Sequence, residues 1–296
     1  MDCHIVPRFY LAQFADPSLQ RGGKKRVWKY RFDIGKWKSA SPRSVASEID
    51  YYVAVSDTGE RDERIERELI GPIEDETAKL FRNSLQVGVE LGEPDRSTLA
   101  AFVALMSLRT RLWHETIADA VAKVSETALL MAASMAKSDP KSAQIRELLQ
   151  THRIRVGPKM PMAISLSLVN EIAAGIHRMG WTFVVARPGE YFISSDDPYR
   201  QVNPNADPPS PFGGLAARNI EVSLPLTRNL AFFAGWHSTG CRWVVAHPGF
   251  VDEINRRTCM SATIIVSPRP AVPGFEQIVR DWEDRKNHMK EVGLVK

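Results

Sequence analysis

Cysteine is scarce. Cys3, Cys241 and Cys259 make an odd number in 296 residues, with no Cys-x-x-Cys pair, which argues against a disulfide framework or a four-thiolate zinc site. Long apolar runs are missing too: 99–108 and 128–133 fall well short of the roughly 20 residues that cross a bilayer. The opening Met-Asp-Cys-His-Ile-Val-Pro lacks the basic-then-apolar layout of a signal peptide, so a reduced, cytoplasmic protein without membrane contact is expected. There is no Walker loop, Gly-x-Gly-x-x-Gly, His-Glu-x-x-His, internal repeat or low-complexity tract. What is present, 44% hydrophobic and 25% charged residues, suits an ordinary globular chain long enough to bury a core.

The net charge of +4 is unevenly spread. Between Arg21 and Arg43 nine basic residues face one acid, Asp33. Val27-Trp28-Lys29-Tyr30-Arg31-Phe32 alternates strictly, which puts aromatics on one strand face and cations on the other. Asp33-Ile34-Gly35 supplies turn chemistry before a second strand carrying Lys36, Trp37 and Lys38. Such a basic hairpin can lay Lys29, Arg31, Lys36 and Lys38 along a phosphate backbone, with its aromatics stacking on bases. The competing reading is a solvated hairpin whose rings pack on the core and whose lysines protect an edge strand.

Acids follow on helices from Arg61 to Asp95, with Ile65, Leu69, Ile73 and Leu80 at helical spacing. Glu74, Asp75 and Glu76 after Pro72 fit a helix first turn. A long apolar stripe then begins near Leu99, as one helix or two joined near Thr116. Arg109 interrupts that stripe, and a buried guanidinium needs a carboxylate, from Glu66, Glu74, Asp196 or Asp197. Arg109 and His114 also match the Arg-x4-His spacing of a class of helical ribonucleases, although residues five apart on a regular helix point about 140° apart. After a helix over 165–178 the pattern turns to strands. A hairpin is expected from Trp181–Ala186 and Tyr191–Ser195 across Arg187-Pro188-Gly189-Glu190, running into Asp196-Asp197-Pro198. Two carboxylates at a strand exit suit metal or acid–base work, or simply begin a loop. A proline-rich stretch over 198–214 reads as a lid or binding loop. Further strands (220–224, 230–235, 263–266) and helices (250–260, 275–291) complete an α+β reading as a single unit. It has an N-terminal motif and hairpin over 1–60, a helical part over 61–178 and a β-rich part over 179–296.

His4-Ile-Val-Pro7-Arg-Phe9-Tyr10-Leu11-Ala-Gln-Phe14 and Phe192-Ile-Ser-Ser-Asp196-Asp197-Pro198 resemble the motifs of the domain of unknown function 4238 family. Tyr51-Tyr52, Glu66, Glu74, Arg109-Thr110 and Asn255 agree in order, so the resemblance covers nearly the whole chain. The family often places a proline after the Arg-Thr pair where this chain has Arg111, so no helix break is imposed there. The resemblance implies kinship without an activity. It marks His4, Glu66, Arg109 and Asp196 as motif polar residues: His4, Glu66 and Asp196 could hold magnesium or manganese, with Arg109 stabilising a phosphoryl group. The expectation is a metal-assisted phosphodiesterase or nuclease-like hydrolase acting on nucleic acid. The alternative is a non-catalytic binding protein in which these residues form a buried structural network.

Overall fold

The computed structural model describes residues 2–18, 24–45, 47–49, 54–55, 61–62, 65–136, 139–157, 159–205 and 214–291. The side chains of 2–4, 47–49, 54–55, 61–62, 65–66, 111–112, 159 and 288–291 lie outside the description. In chain order the elements are β1 (Asp2–His4), α1 (Arg8–Leu11), β2 (Val27–Arg31), β3 (Lys36–Ala40), β4 (Ser47–Ile49), β5 (Ala54–Val55) and β6 (Arg61–Asp62). A π turn (Ile65–Ile70) precedes α2 (Gly71–Asn83), α3 (Glu93–Leu108), α4 (Arg111–Met135), α5 (Pro140–Thr151), α6 (Lys159–Ser167) and α7 (Val169–Arg178). Then come β7 (Gly180–Val185), β8 (Ser194–Ser195), β9 (Arg200–Val202), β10 (Glu221–Thr227), β11 (Leu230–Gly235), β12 (Cys241–Val245), α8 (Phe250–Cys259), β13 (Ile264–Ser267) and α9 (Phe275–Glu291). The α+β class holds. By its internal contacts the chain divides into an α/β unit, Met1–Ser107 with Asn170–Lys296, and a helical unit, Leu108–Val169.

Two sheets organise the α/β unit. One has the order β12-β7-β11-β10-β9, antiparallel except for the parallel β12–β7 pair. Its centre is apolar because Trp181, Phe183, Leu224 and Phe232 are all buried, with Trp181 and Phe232 edge to face at 5.0 Å. Gly180 opens β7 where the backbone of Ser238 passes so close that a Cβ would sit 2.2 Å from its carbonyl oxygen. Only glycine fits there. The other sheet is antiparallel with the order β3-β2-β13-β8. The basic hairpin forms as expected, and Gly35 takes the left-handed conformation at its turn, φ 67°.

The second expected hairpin does not form. Arg187–Glu190 does turn: Gly189 is left-handed and the Glu190 N–H reaches the Arg187 carbonyl at 3.0 Å. The strands on either side nevertheless join different sheets, β7 pairing with β11 and β12 while β8 pairs with β13. Distant partners outweigh the local turn, as when the Phe192 N–H bonds the Arg228 carbonyl at 2.8 Å. Residues 196–199 then carry the chain from β8 into β9, from one sheet to the other. The acidic pair thus sits at a corner between sheets.

The N-terminal motif packs on α3, with Phe9 and Tyr10 each within 6 Å of the buried Phe102 ring (5.7 and 5.8 Å). The expected long helix breaks at Arg109–Thr110 rather than near Thr116. Thr110 is extended (φ −77°, ψ 148°) and its side-chain oxygen accepts from the Trp113 N–H at 3.2 Å, so α4 starts afresh under its own cap. No proline is needed. In the helical unit α4 carries α5 and α6. Arg146 donates to the Ala133 carbonyl at 2.5 Å, Glu126 accepts from the Ile154 N–H at 2.9 Å, and the Trp113 indole donates to Ser165 Oγ at 2.9 Å.

Candidate functional site

Strand alternation builds the cationic face of the hairpin. The register pairs Lys29 with Lys38 and Arg31 with Lys36, so all four cations share one face. Their environments differ. The Lys29 amine is half-buried and bonds the Ser44 carbonyl at 3.2 Å; burial, then the charges of Arg31 and Lys38, push its pKa down. Arg31 is exposed but pairs with Asp33 at 2.6 Å. Lys36 and Lys38 are exposed on the edge strand β3. Lys29 is therefore less available than alternation alone suggests, and the open cations are the two edge lysines.

The opposite face is closed. Phe32 stacks on Trp282 of α9 with centroids 4.9 Å apart, and Tyr30 meets Phe275 edge to face at 4.8 Å. Tyr30 and Phe32 are 7% and 8% exposed, so these rings belong to the core and offer bases no stacking platform.

The motif residues that are described form a second feature, a buried polar network. Ser194 donates to the Tyr10 hydroxyl at 3.1 Å and Tyr10 donates to the Pro225 carbonyl at 2.7 Å, which joins the N-terminal motif to the 192–198 motif. Burial pushes the Tyr10 phenol far up, so it stays neutral. Asn255, fully buried, accepts from the Ile193 N–H and donates to the Tyr191 carbonyl, both at 3.0 Å. Ser195 donates to the Thr258 carbonyl at 3.0 Å.

At the corner, Asp196 Oδ1 accepts from the backbone N–H groups of Thr263 (2.9 Å) and Ile264 (3.0 Å), and Oδ2 takes the Thr263 hydroxyl. Burial still raises its pKa, against those bonds. Asp197 pairs with Arg200 at 3.1 Å, and Arg200 also donates to the Arg257 carbonyl (2.7 Å) and the Tyr199 carbonyl. Both oxygens of Asp196 are thus engaged by protein donors, and a metal there would compete with them. Among the described residues no group of three or more His, Cys, Asp or Glu side chains is gathered for a metal ion. The side chains of His4 and Glu66 lie outside the described residues, so their expected roles find no geometry here.

Arg109 is buried as expected, at 2% exposure, in the junction between α3 and α4. The helix break removes the regular-helix objection to its pairing with His114. Burial pushes the His114 imidazole pKa down, the Leu108 backbone opposes this, and the Arg109 charge adds to the lowering, so the two side chains are electrostatic neighbours. Arg200 and Asn255 carry much of the corner, yet sequence reading gave neither a role there. Arg200 lies three residues after Asp197, a spacing that marks a local ion pair, whereas no local pattern could show that Asn255 faces residues more than 60 positions away. No described helix is long and apolar enough to cross a membrane. Residues 3–269 match the model of a family described as protein of unknown function (DUF4238), and neither a curated protein nor a solved structure matches the chain.

Proposed function

The chain belongs to the DUF4238 family, and from that premise and the hairpin geometry we propose that it is a nucleic-acid-binding protein gripping the phosphate backbone. The observation that carries this reading is one sheet face holding Lys29, Arg31, Lys36 and Lys38, backed by a face sealed with aromatics. A rigid row of cations suits phosphates, and with Tyr30 and Phe32 in the core and Trp28 and Trp37 half-buried on the other face, the contact has little to read in the bases. Binding is therefore sequence-tolerant and strongly salt-dependent. The buried bonds of Tyr10, Ser194 and Asn255, with Asp196 tied separately to Thr263 and Ile264, hold the two sheets in place and need no substrate.

The test is fluorescence anisotropy with a labelled random-sequence oligonucleotide between 50 and 200 mM salt. Wild type should lose affinity steeply, and Lys36→Ala/Lys38→Ala should reduce the log–log salt slope by about 2, near 0.9 per lost phosphate contact. No binding at low salt, or an unchanged slope, would refute the proposal. The helix break at Thr110, between Arg109 and His114, favours a second reading, phosphodiester hydrolysis with His114 as acid or base. The same mixtures, incubated with and without magnesium or manganese, report cleavage. Loss of cleavage in His114→Ala with binding intact would establish that reading, and uncut nucleic acid would reject it.

A further inference from the structure

We infer that the outer face of α4 is a self-association surface, on which a second copy of this chain lays its own α4 antiparallel. Ile117, Val121, Val124, Ala128, Met131 and Met135 step by four and three, which places them within about 80° of arc on a regular helix. This is the seam spacing of paired helices. It lies opposite the side of α4 that α5 covers, where Ala133 is buried and the Ala133 carbonyl and Glu126 bond α5 and the chain after it. Ile117 and Val121, at the end of α4 where Trp113 bonds Ser165 of α6, are half-buried, whereas Val124, Met131 and Met135 are 70%, 62% and 87% exposed, so the open part of the seam runs from Val124 to Met135.

A second copy fits this face better than other occupants for three reasons. The first is area. With the exposed Ala120, Thr127, Ala128 and Ala132 beside them, these side chains make a continuous weakly polar surface along about four turns of α4, which a symmetric partner doubles toward the lower end of stable specific interfaces. The second is chemistry: residues 127–135 carry no charge, and the flanking positions Ala118, Ser125, Thr127, Ala132 and Ser134 are small, so two helices can approach closely without burying an ion. Antiparallel pairing centred near Glu126 sets Ile117 against Met135, Val121 against Met131 and Val124 against Ala128, a larger side chain against a smaller one in the last two layers. The third is charge. Glu115, Asp119 and Glu126 outnumber Arg111 and Lys123, the reverse of the basic face that anchors an amphipathic helix on an anionic lipid surface.

The experiment is sedimentation velocity on the full chain from 1 to 100 μM. Wild type should move to twice the 33.2 kDa chain mass as concentration rises. Val124→Glu/Met131→Glu, at exposed positions that leave the fold intact by circular dichroism, should stay monomeric throughout. Val87→Glu, equally exposed but in the α/β unit, should dimerise like wild type. A wild-type monomer at 100 μM would overturn the inference, as would a dimer that survives the double substitution. So would a monomer that floats with phosphatidylglycerol vesicles and loses this in the double variant, since the face would then be a lipid surface.

Discussion

The α/β unit and the helical unit solve the burial problem differently. In the first, two sheets and α3 enclose Trp181, Phe183, Phe102 and Phe232, and even the polar motif groups find partners inside. In the second, Leu108–Val169, seven large apolar side chains are exposed, against six in all the rest of the described chain. Sheets close on themselves through ladders and buried faces, whereas a helix hides only the stripe that a neighbour covers. α4 has α5 and α6 on part of its surface and leaves its seam open from Val124 to Met135. The lesson is that one chain can pair a self-sufficient core with an element whose packing is finished from outside.

Substitutions at matched apolar positions sharpen this contrast most. Trp181→Ala removes a ring 1% exposed and takes from the Ile176 carbonyl one of its two donors, the indole at 2.8 Å, leaving the Met179 N–H, and should cost about 3–5 kcal/mol. Met131→Ala at low protein concentration should change stability by no more than about 0.5 kcal/mol. Urea unfolding of both variants is the check, and equal losses would erase the distinction between the two units.

A smaller effect probes the corner between the sheets. Burial, with Asp197 adding to it, holds the Asp196 carboxyl above its ordinary value of 3.8. A folded-state pKa raised above the unfolded one contributes stability below pH 3.8, and that contribution is lost as pH rises through the folded value. Asp196→Asn keeps an oxygen for the Thr263 and Ile264 N–H groups but cannot ionise. Its stability relative to wild type should therefore improve between pH 3 and 7. Parallel pH profiles would mean that the carboxylate is not strained by burial.

What sequence reading captured was local. Alternation from Val27 to Phe32 with a glycine turn fixed the hairpin and its two faces, because both depend on neighbours in sequence. The burial of Arg109 followed from its place in an apolar stripe. The pairing of β8 with β13 was hidden, since Ser194 and Ser195 give only two residues of strand and their partners lie some 70 positions away. The same distance concealed the corner: Asp196 reads as a metal or acid–base group or the start of a loop, because the N–H groups it accepts from belong to residues 263 and 264. The break at Thr110 was missed because a capping threonine inside an apolar run leaves the periodicity almost unchanged.

The most direct test of the central contrast is hydrogen exchange read segment by segment at 1 and 100 μM protein. The account predicts slow exchange in β7, β10 and β11 at both concentrations, and protection over 124–135 of α4 that rises at the higher one. Protection over 124–135 that equals the strands at 1 μM and does not change at 100 μM would contradict it.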